Sequence, residues 1–361
     1  MDNYREVELL SKKTVGDSGT ETIDINTDEP ITELSVKFYV KNDTATARSV
    51  PVESVVSKIE LVDGGQVYFS LSGRELTAMA WYDKGYWPAH NYSEVANESQ
   101  WVEWPFQFGR FIGDEQYAFS PIRLLNPQLK VTWAKNALHL TNVCTLEVNA
   151  KTMQGVTAPS KALLTKVIRS WSSAAAGIEE VDLPTDYPFR RLYWRNYSVG
   201  GWIGALWTQF RLECDVGKLI VFDMTHLEML NLMEREWRQA EYAEYIEVDD
   251  WVMHYSHLGT CVSGAVLPFS AGCIGSASTT LPGYVRMIAR DYDGAQMSDV
   301  KFDVTFRGLV PEYTYCYPFG RPDDPATWFD VSKYGSVKLK ITEALAGGVA
   351  SVFVQQPVPL P

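Results

Sequence analysis

The clearest pattern in the chain is an alternation. Leu34, Val36, Phe38 and Val40 are separated by Ser35, Lys37 and Tyr39, and Lys41 follows. A period of two with polar partners predicts a strand with one face in a core and the other in water. Val55–Leu61 and Gln66–Leu71 read as two more strands around a turn at Asp63-Gly64-Gly65. Then the period changes. Ser72-Gly73-Arg74-Glu75 has capping-box form, in which the Ser hydroxyl and the Glu carboxylate each satisfy an unpaired amide at a helix start. Leu76, Met79 and Ala80 follow at helical spacing. Upstream, Tyr4, Val7 and Leu10 would share one side of a short helix over Met1–Lys13, unless the terminus frays. Tyr284–Arg290 and Val300–Arg307 alternate again.

The pattern is written twice. Gly19–Leu34 laid over Gly177–Leu192 matches at seven of sixteen positions: Gly19/Gly177, Glu21/Glu179, Asp24/Asp182, Thr27/Thr185, Asp28/Asp186, Pro30/Pro188 and Leu34/Leu192. Average composition gives about one match. A second match lies 153 residues on, where Ile59-Glu60-Leu61 becomes Leu212-Glu213-Cys214, Gly64 becomes Gly217 and Phe69 becomes Phe222. The capping box returns as Thr225-His226-Leu227-Glu228. A third match pairs Phe119 with Phe329 and Leu129-Lys-Val-Thr132 with Leu339-Lys-Ile-Thr342, at an offset of 210. The chain is therefore a tandem duplication, with 57 extra residues after the second helix.

These signals predict an all-β fold: two tandem eight-stranded antiparallel jelly rolls, sandwiches closed by Greek-key connections, each with a short inserted helix. The expected layout is an N-terminal segment (1–18), a first roll (19–153) and a linker (154–176). A second roll with the long insertion (177–356) and a C-terminal arm (357–361) complete it. The tail Gln355-Gln-Pro-Val-Pro-Leu-Pro361 cannot pair in a central strand, which is why an extended arm is expected. The insertion is expected to stand away from both cores as a tower or clamp, since a loop tolerates added length.

Composition narrows the function. The 361 residues carry a net charge of -13, which opposes direct nucleic-acid binding because that affinity comes mainly from Lys and Arg. Five scattered cysteines without a C-x-x-C pair fit buried thiols in a reducing compartment rather than a disulfide framework. Met1–Val15 is too polar for a signal peptide, and no apolar run is long enough to span a bilayer.

Candidate chemistry is thin. His254-x-x-His257 with Cys261 has loose metal-ligand spacing and no fourth ligand, so packed or solvated loop residues are expected. Asp291-Tyr292-Asp293-Gly294 starts like a calcium loop but lacks the closing Glu, which favours a tight turn. Glu241, Glu244, Glu247, Asp249 and Asp250 could hold a glycosidase pair beside aromatics, but read better as a charged exposed face. The expectation is no catalytic residue, no cofactor and no metal. The first copy instead fills the region after its helix with Trp81, Trp87, Trp101 and Trp104, too much apolar surface to expose in a monomer.

The duplicated unit resembles the double jelly-roll major capsid proteins of tailless icosahedral viruses with an internal membrane, of which the adenovirus hexon is a distant relative. The segments that carry the resemblance are Val181-Asp-Leu-Pro-Thr-Asp-Tyr-Pro-Phe-Arg-Arg-Leu192 and Tyr334-Gly-Ser-Val-Lys-Leu-Lys-Ile-Thr342, within a match over roughly residues 19–356. It implies a homotrimer that mimics a hexagon and tiles a shell. The implied partners are copies of itself, vertex or minor capsid proteins and an internal membrane. The implied place is the virion, after synthesis in the host cytoplasm. Trp81, Trp87, Trp101, Trp104, Pro357 and Pro359 are then the candidate subunit-interface residues. A secreted two-domain carbohydrate-binding or glycan-hydrolysing jelly-roll protein is the rival reading. The missing signal peptide and paired cysteines oppose it; the Trp-rich loop and acidic cluster favour it.

Overall fold

Residues 4–43, 51–135, 140–198, 203–248, 251–268, 273–281, 284–291 and 300–361 are described by the structure, a computed structural model. The first unit runs β1 (Tyr4–Val15), β2 (Ser18–Asp24), β3 (Ile31–Asn42), α1 (Val52–Val55), β4 (Val56–Asp63), β5 (Gln66–Leu71) and α2 (Gly73–Lys84). It continues through β6 (Ala89–Ser93), β7 (Ser99–Gln107), β8 (Pro127–Ala134) and β9 (Leu140–Met153). One sheet holds β1-β9-β3-β7 and the facing sheet β2-β8-β4-β5. Every pairing within these is antiparallel, and first strands pair with last, which is the jelly-roll connection.

The second unit repeats the order: β10 (Lys161–Ser172), β11 (Gly177–Leu183), β12 (Arg191–Tyr197), α3 (Ile203–Leu206), β13 (Trp207–Cys214), β14 (Leu219–Thr225) and α4 (His226–Glu236). The insertion follows as β15 (Ala240–Val248), β16 (Trp251–Tyr255), β17 (Leu258–Pro268), β18 (Cys273–Leu281), β19 (Tyr284–Asp291) and β20 (Val300–Pro311). Then β21 (Thr314–Pro318), β22 (Val337–Glu343) and β23 (Val349–Pro359) complete the roll as sheets β10-β23-β12-β21 and β11-β22-β13-β14.

The repeat holds at the level of register. Glu21 faces Val131 and Glu179 faces Ile341, at the offsets read from the sequence. Phe119 bridges Ile31 as Phe329 bridges Phe189. Both capping boxes are formed, by Ser72 with Glu75 and by Thr225 with Glu228. One alignment is corrected. Ile59 faces Val131, but the residue facing Ile341 is Phe210, not Leu212. The β13–β14 turn is two residues longer than the β4–β5 turn. A two-residue slip preserves the in-out alternation, so the hydrophobic pattern could not reveal it.

Four further expectations give way to pairing. Residues 4–15 form no helix: β1 is an exposed edge strand held by β9, so the first roll begins there. The stretch between the copies contains β10, the first strand of the second roll, whose Leu163 and Leu164 are buried. The proline tail is no free arm. Pro357 lies opposite Leu163 and Pro359 opposite Lys161. The Leu163 amide turns away to the Phe108 carbonyl at 2.7 Å, and the Lys161 carbonyl turns away to the Ala118 amide at 3.1 Å. These are thus non-hydrogen-bonded pairs, where proline's missing N–H costs nothing.

The fourth concerns the insertion. Strand β15 pairs parallel with β6, Glu244 facing Tyr92, so β15, β20 and β17 extend the first roll's sheet; β16, β19 and β18 form a separate sheet. Tyr242, Ile246, Phe302, Val304 and Phe306 are buried in the common core. A tower standing clear of the cores is therefore excluded for β15 and β20. Apolar alternation on β15 and β20 needed a partner face, and the first roll supplies it.

The rolls join at their sheets. Strand β5 of the first pairs with β10 of the second through Lys166 and Ser70, and this pairing is parallel. Parallel pairing stands both rolls the same way up. The termini and the β2–β3, β4–β5 and β7–β8 connections lie at one end, and α1, α2, α4 and the insertion at the other.

Tyr242 is 2% exposed and stacks on Phe306 and Trp87, both at 5.0 Å. Tyr242→Ala is expected to lose about 3–5 kcal/mol, by analogy with Phe→Ala in a core. Calorimetry should show the whole chain melting earlier in one transition. Loss of a separate minor transition alone would mean that the insertion folds independently.

Candidate functional site

A buried cluster of charged side chains sits at the upper end, between the rolls. Helix α1 carries Glu53 and α2 carries Arg74. The two helices approach closely because residue 73 is glycine: a Cβ there would meet the Glu53 carbonyl oxygen at 2.6 Å and the Trp104 ring at 3.1 Å. Strand β12 carries Arg195, the start of β17 brings His257, and the β20–β21 turn brings Glu312. That turn is strained. Val310, Glu312 and Tyr313 have φ of 61°, 48° and 58°, left-handed values that cost roughly 1–3 kcal/mol each without glycine. Surrounding bonds hold it: the Glu312 amide donates to the His257 carbonyl at 2.7 Å, and Arg195 Nε donates to the Glu312 carbonyl at 3.0 Å.

Glu312 is wholly buried, with Oε2 accepting from Arg74 Nη1 and Oε1 contacting His257 Nδ1, both at 2.6 Å. Burial alone would raise its carboxyl, but Arg74, then His257 and Arg195, outweigh that and hold it down at about 2. Burial would lower His257; Glu53 and Glu312 overcome it and raise the imidazole. Glu53 is 1% exposed and neither carboxylate oxygen has a hydrogen-bond partner. Burial raises it, and the nearby His257 only partly opposes this. Tyr92 stacks on the His257 ring at 4.9 Å, and the His257 amide donates to the Tyr242 hydroxyl at 3.0 Å.

A second buried group ties the same elements together lower down. Asp83 of α2 pairs with Arg190 at 2.9 Å and with Arg191, while Arg190 also donates to Gln355 Oε1 at 2.6 Å. Both groups cross from the first roll to the second.

The residues singled out in the sequence lie mostly elsewhere. Trp81, Trp87 and Trp104 are buried within this one chain, at 2%, 6% and 0% exposure, and offer no surface to a neighbour. Trp104 Nε1 donates to Thr77 Oγ1 at 2.7 Å, and Trp87 Nε1 to the Tyr92 hydroxyl at 2.9 Å. They are core, which is the correction to their reading as interface residues. Trp101 is half-buried on the outer face, under Lys37 at 4.0 Å. Pro357 is buried and Pro359 exposed. The acidic cluster is not assembled. Glu241 pairs with Arg307 at 2.7 Å on one face of β15, and Glu244 is buried on the other. Asp249, Asp250 and Asp293, and the side chains of His254, Cys261 and Asp291, lie outside the described residues. Of the histidine–cysteine motif, His257 does reach a cluster, but with Glu53 and Glu312. Neither partner was legible as such, although a lone Glu between Val52 and Val55 is a sequence oddity.

No protein-family model and no curated protein sequence matches the chain. Solved structures do. A chain in the atomic structure of Sulfolobus Turreted Icosahedral Virus aligns with a TM-score of 0.62 at 12% identity, covering 99% of this chain and 91% of that one. The major capsid protein P2 from Bacteriophage PM2 gives 0.56 at 11%, covering 99% and 98%. VP54 of PBCV-1 gives 0.56 at 11%, covering 99% and 94%. The chain is a double jelly roll. Likeness at this identity concerns the fold, and both rolls and the joint between them are included in it.

Glu312→Gln in this double jelly roll is expected to cost about 3–5 kcal/mol, because Arg74 is left buried without its counter-charge. The pH dependence has a definite sign. A carboxyl lowered from 4.5 to about 2 adds stability above its ordinary value, which is lost as the pH falls from there towards 2. Urea titrations between pH 6 and pH 2.5 should show the difference between wild type and variant shrinking as the pH falls. A pH-independent difference would mean that Glu312 acts by shape alone.

Proposed function

We propose that this double jelly roll is a major capsid protein, which self-assembles as pseudo-hexagonal homotrimers and tiles an icosahedral shell. The observation that carries the reading is the joint between the rolls. Within the chain, β5 of the first roll meets β10 of the second. The corresponding strands are β14 of the second roll and β1 of the first, and both end their sheets unpaired among the described residues. The same joint made between chains, β14 of one copy on β1 of the next, continues the ring, and three chains supply six rolls. Registers equate Ser70 with Asp223 and Lys166 with Val7. An unpaired strand edge is a ready template for another chain, and closed cyclic symmetry is the common outcome of repeating one contact.

Three further features support the reading. Among the neighbours in fold, the PM2 protein is named as a major capsid protein. The net charge of -13 suits a shell that does not itself bind the genome. Phe111, Ile122 and Leu125, exposed by 53%, 58% and 99%, cluster in the β7–β8 connection at the end where the termini lie. That end suits contacts with neighbouring trimers, minor capsid proteins or an internal membrane. Trp101 and Pro359 remain lateral candidates. In this reading the protein is structural rather than enzymatic, is made in the host cytoplasm, and resides in the virion.

Light scattering on purified protein tests it, with three chains of 40.7 kDa as the expected unit. Leu219 and Ile220 on the β14 edge are 39% and 46% exposed, so changing both to Lys should leave the fold intact and yield monomers. A wild-type monomer at high concentration would sink the proposal. A trimer unaffected by the double change would move the interface off β14.

A further inference from the structure

The Glu53–His257–Glu312 cluster does more than join two domains. Each residue offers one donor atom, and the three donor atoms lie within 4.8 Å of one another. All three are buried, at 1%, 4% and 0% exposure. Glu53 is the informative member. It is a carboxyl taken out of water with neither oxygen in a hydrogen bond, facing the Tyr92 hydroxyl and a histidine nitrogen 3.9 Å away. A buried carboxyl avoids the cost of an unpaired charge either by keeping its proton, the direction in which burial moves Glu53, or by giving its oxygens to a cation.

We infer that Glu53, His257 and Glu312 form a site for a divalent transition-metal ion of the zinc class, set between the two jelly rolls. One imidazole with two carboxylates is a ligand set for such ions, whereas calcium takes six to eight oxygens. The imidazole Nδ1 supplies its lone pair and Nε2 keeps the proton, so any proton shared between Nδ1 and Glu312 is released on binding. Glu53 and Glu312 each give one oxygen, and a water fills the fourth position. Ligands about 2.0–2.1 Å from zinc stand roughly 3.3 Å apart in a tetrahedron. The 3.9 Å gap from Glu53 to His257 then closes by less than about 1 Å. Arg74, on the other oxygen of Glu312, is a positioning residue that holds the carboxylate in place. The ion would connect α1 of the first roll to the insertion of the second, and the strained β20–β21 turn exists to present Glu312 to it. The site stands independently of the capsid reading.

Metal analysis of the full-length protein, purified without affinity metals and dialysed, is the test. About one zinc-class ion per chain is expected. Removal with a chelator should lower the melting temperature by several degrees, and added Zn²⁺, but not Ca²⁺, should restore it. Co²⁺ in its place should show the visible absorption of a four-coordinate site. Glu53→Gln should weaken Zn²⁺ binding about 100-fold while melting no earlier than chelated wild type. A metal-free protein with the same melting temperature in chelator, in Zn²⁺ and in buffer would overturn the inference. So would a Glu53→Gln variant that binds Zn²⁺ like wild type. Since the wild-type arms decide alone, a variant that fails to fold leaves the test standing.

Discussion

Every β-sheet ends in two rows of unpaired amides and carbonyls, and each jelly roll contributes two sheets. How those edges are covered determines the rest of this molecule. The inner edge β5 is met by β10, which makes one eight-stranded sheet out of halves of two rolls. Strand β6, attached to the edge strand β7, is met by β15 of the insertion, which makes the second. Two sheets that cross from one roll to the other leave little freedom for either to rotate. Pairings of one and two positions would be weak alone. The Asp83–Arg190–Arg191 and Arg74–Glu312–His257 groups sit between the same elements and cannot be pulled apart without stranding charge in a low-dielectric interior.

Much of this was legible in the sequence because duplication supplies its own control. The alternation around Val36 shows a strand, but only the second copy of the segment that leads into it, Gly177–Leu192, places it in a repeated unit. Both capping boxes could be read from four residues each, since the amides they satisfy are local. What could not be read depended on distant partners. The segment Tyr4–Val15 has as much helical as extended character by itself, and β9, more than 120 residues later, decides the matter. The prolines at 357 and 359 looked incompatible with a strand until their register against Leu163 and Lys161 put the missing amides on the unpaired side. The tryptophans invited an interface because aromatic surface must be covered by something. The insertion and the helix α2 cover them within the chain.

The charged junction was illegible for a related reason. Glu53, Arg74, His257 and Glu312 are spread over some 260 residues and share no motif. Only the upright side-by-side placement of the rolls collects them. Polar residues at such a place do not need to strengthen the fold to be retained. They penalise any arrangement in which the rolls meet at another angle, and in the capsid reading a shell built from repeated contacts would depend on that angle.

The parallel contact between β6 and β15 also sets a clock. Glu244 is made 152 residues after the Tyr92 it must face. At roughly ten residues per second of synthesis, the first roll would wait about fifteen seconds on the ribosome with β6 bare, and somewhat less with β5 bare. During that interval it is a complete sandwich with both inner edges open as well as its outer ones, in a cell that, in the capsid reading, is producing many identical chains at once. Its outer edge strand β1 exposes charge, Glu6, Glu8, Lys12 and Lys13 among them, which discourages neighbouring nascent chains from pairing too early. Assembly would then begin from finished molecules, after the second half of each has closed the first.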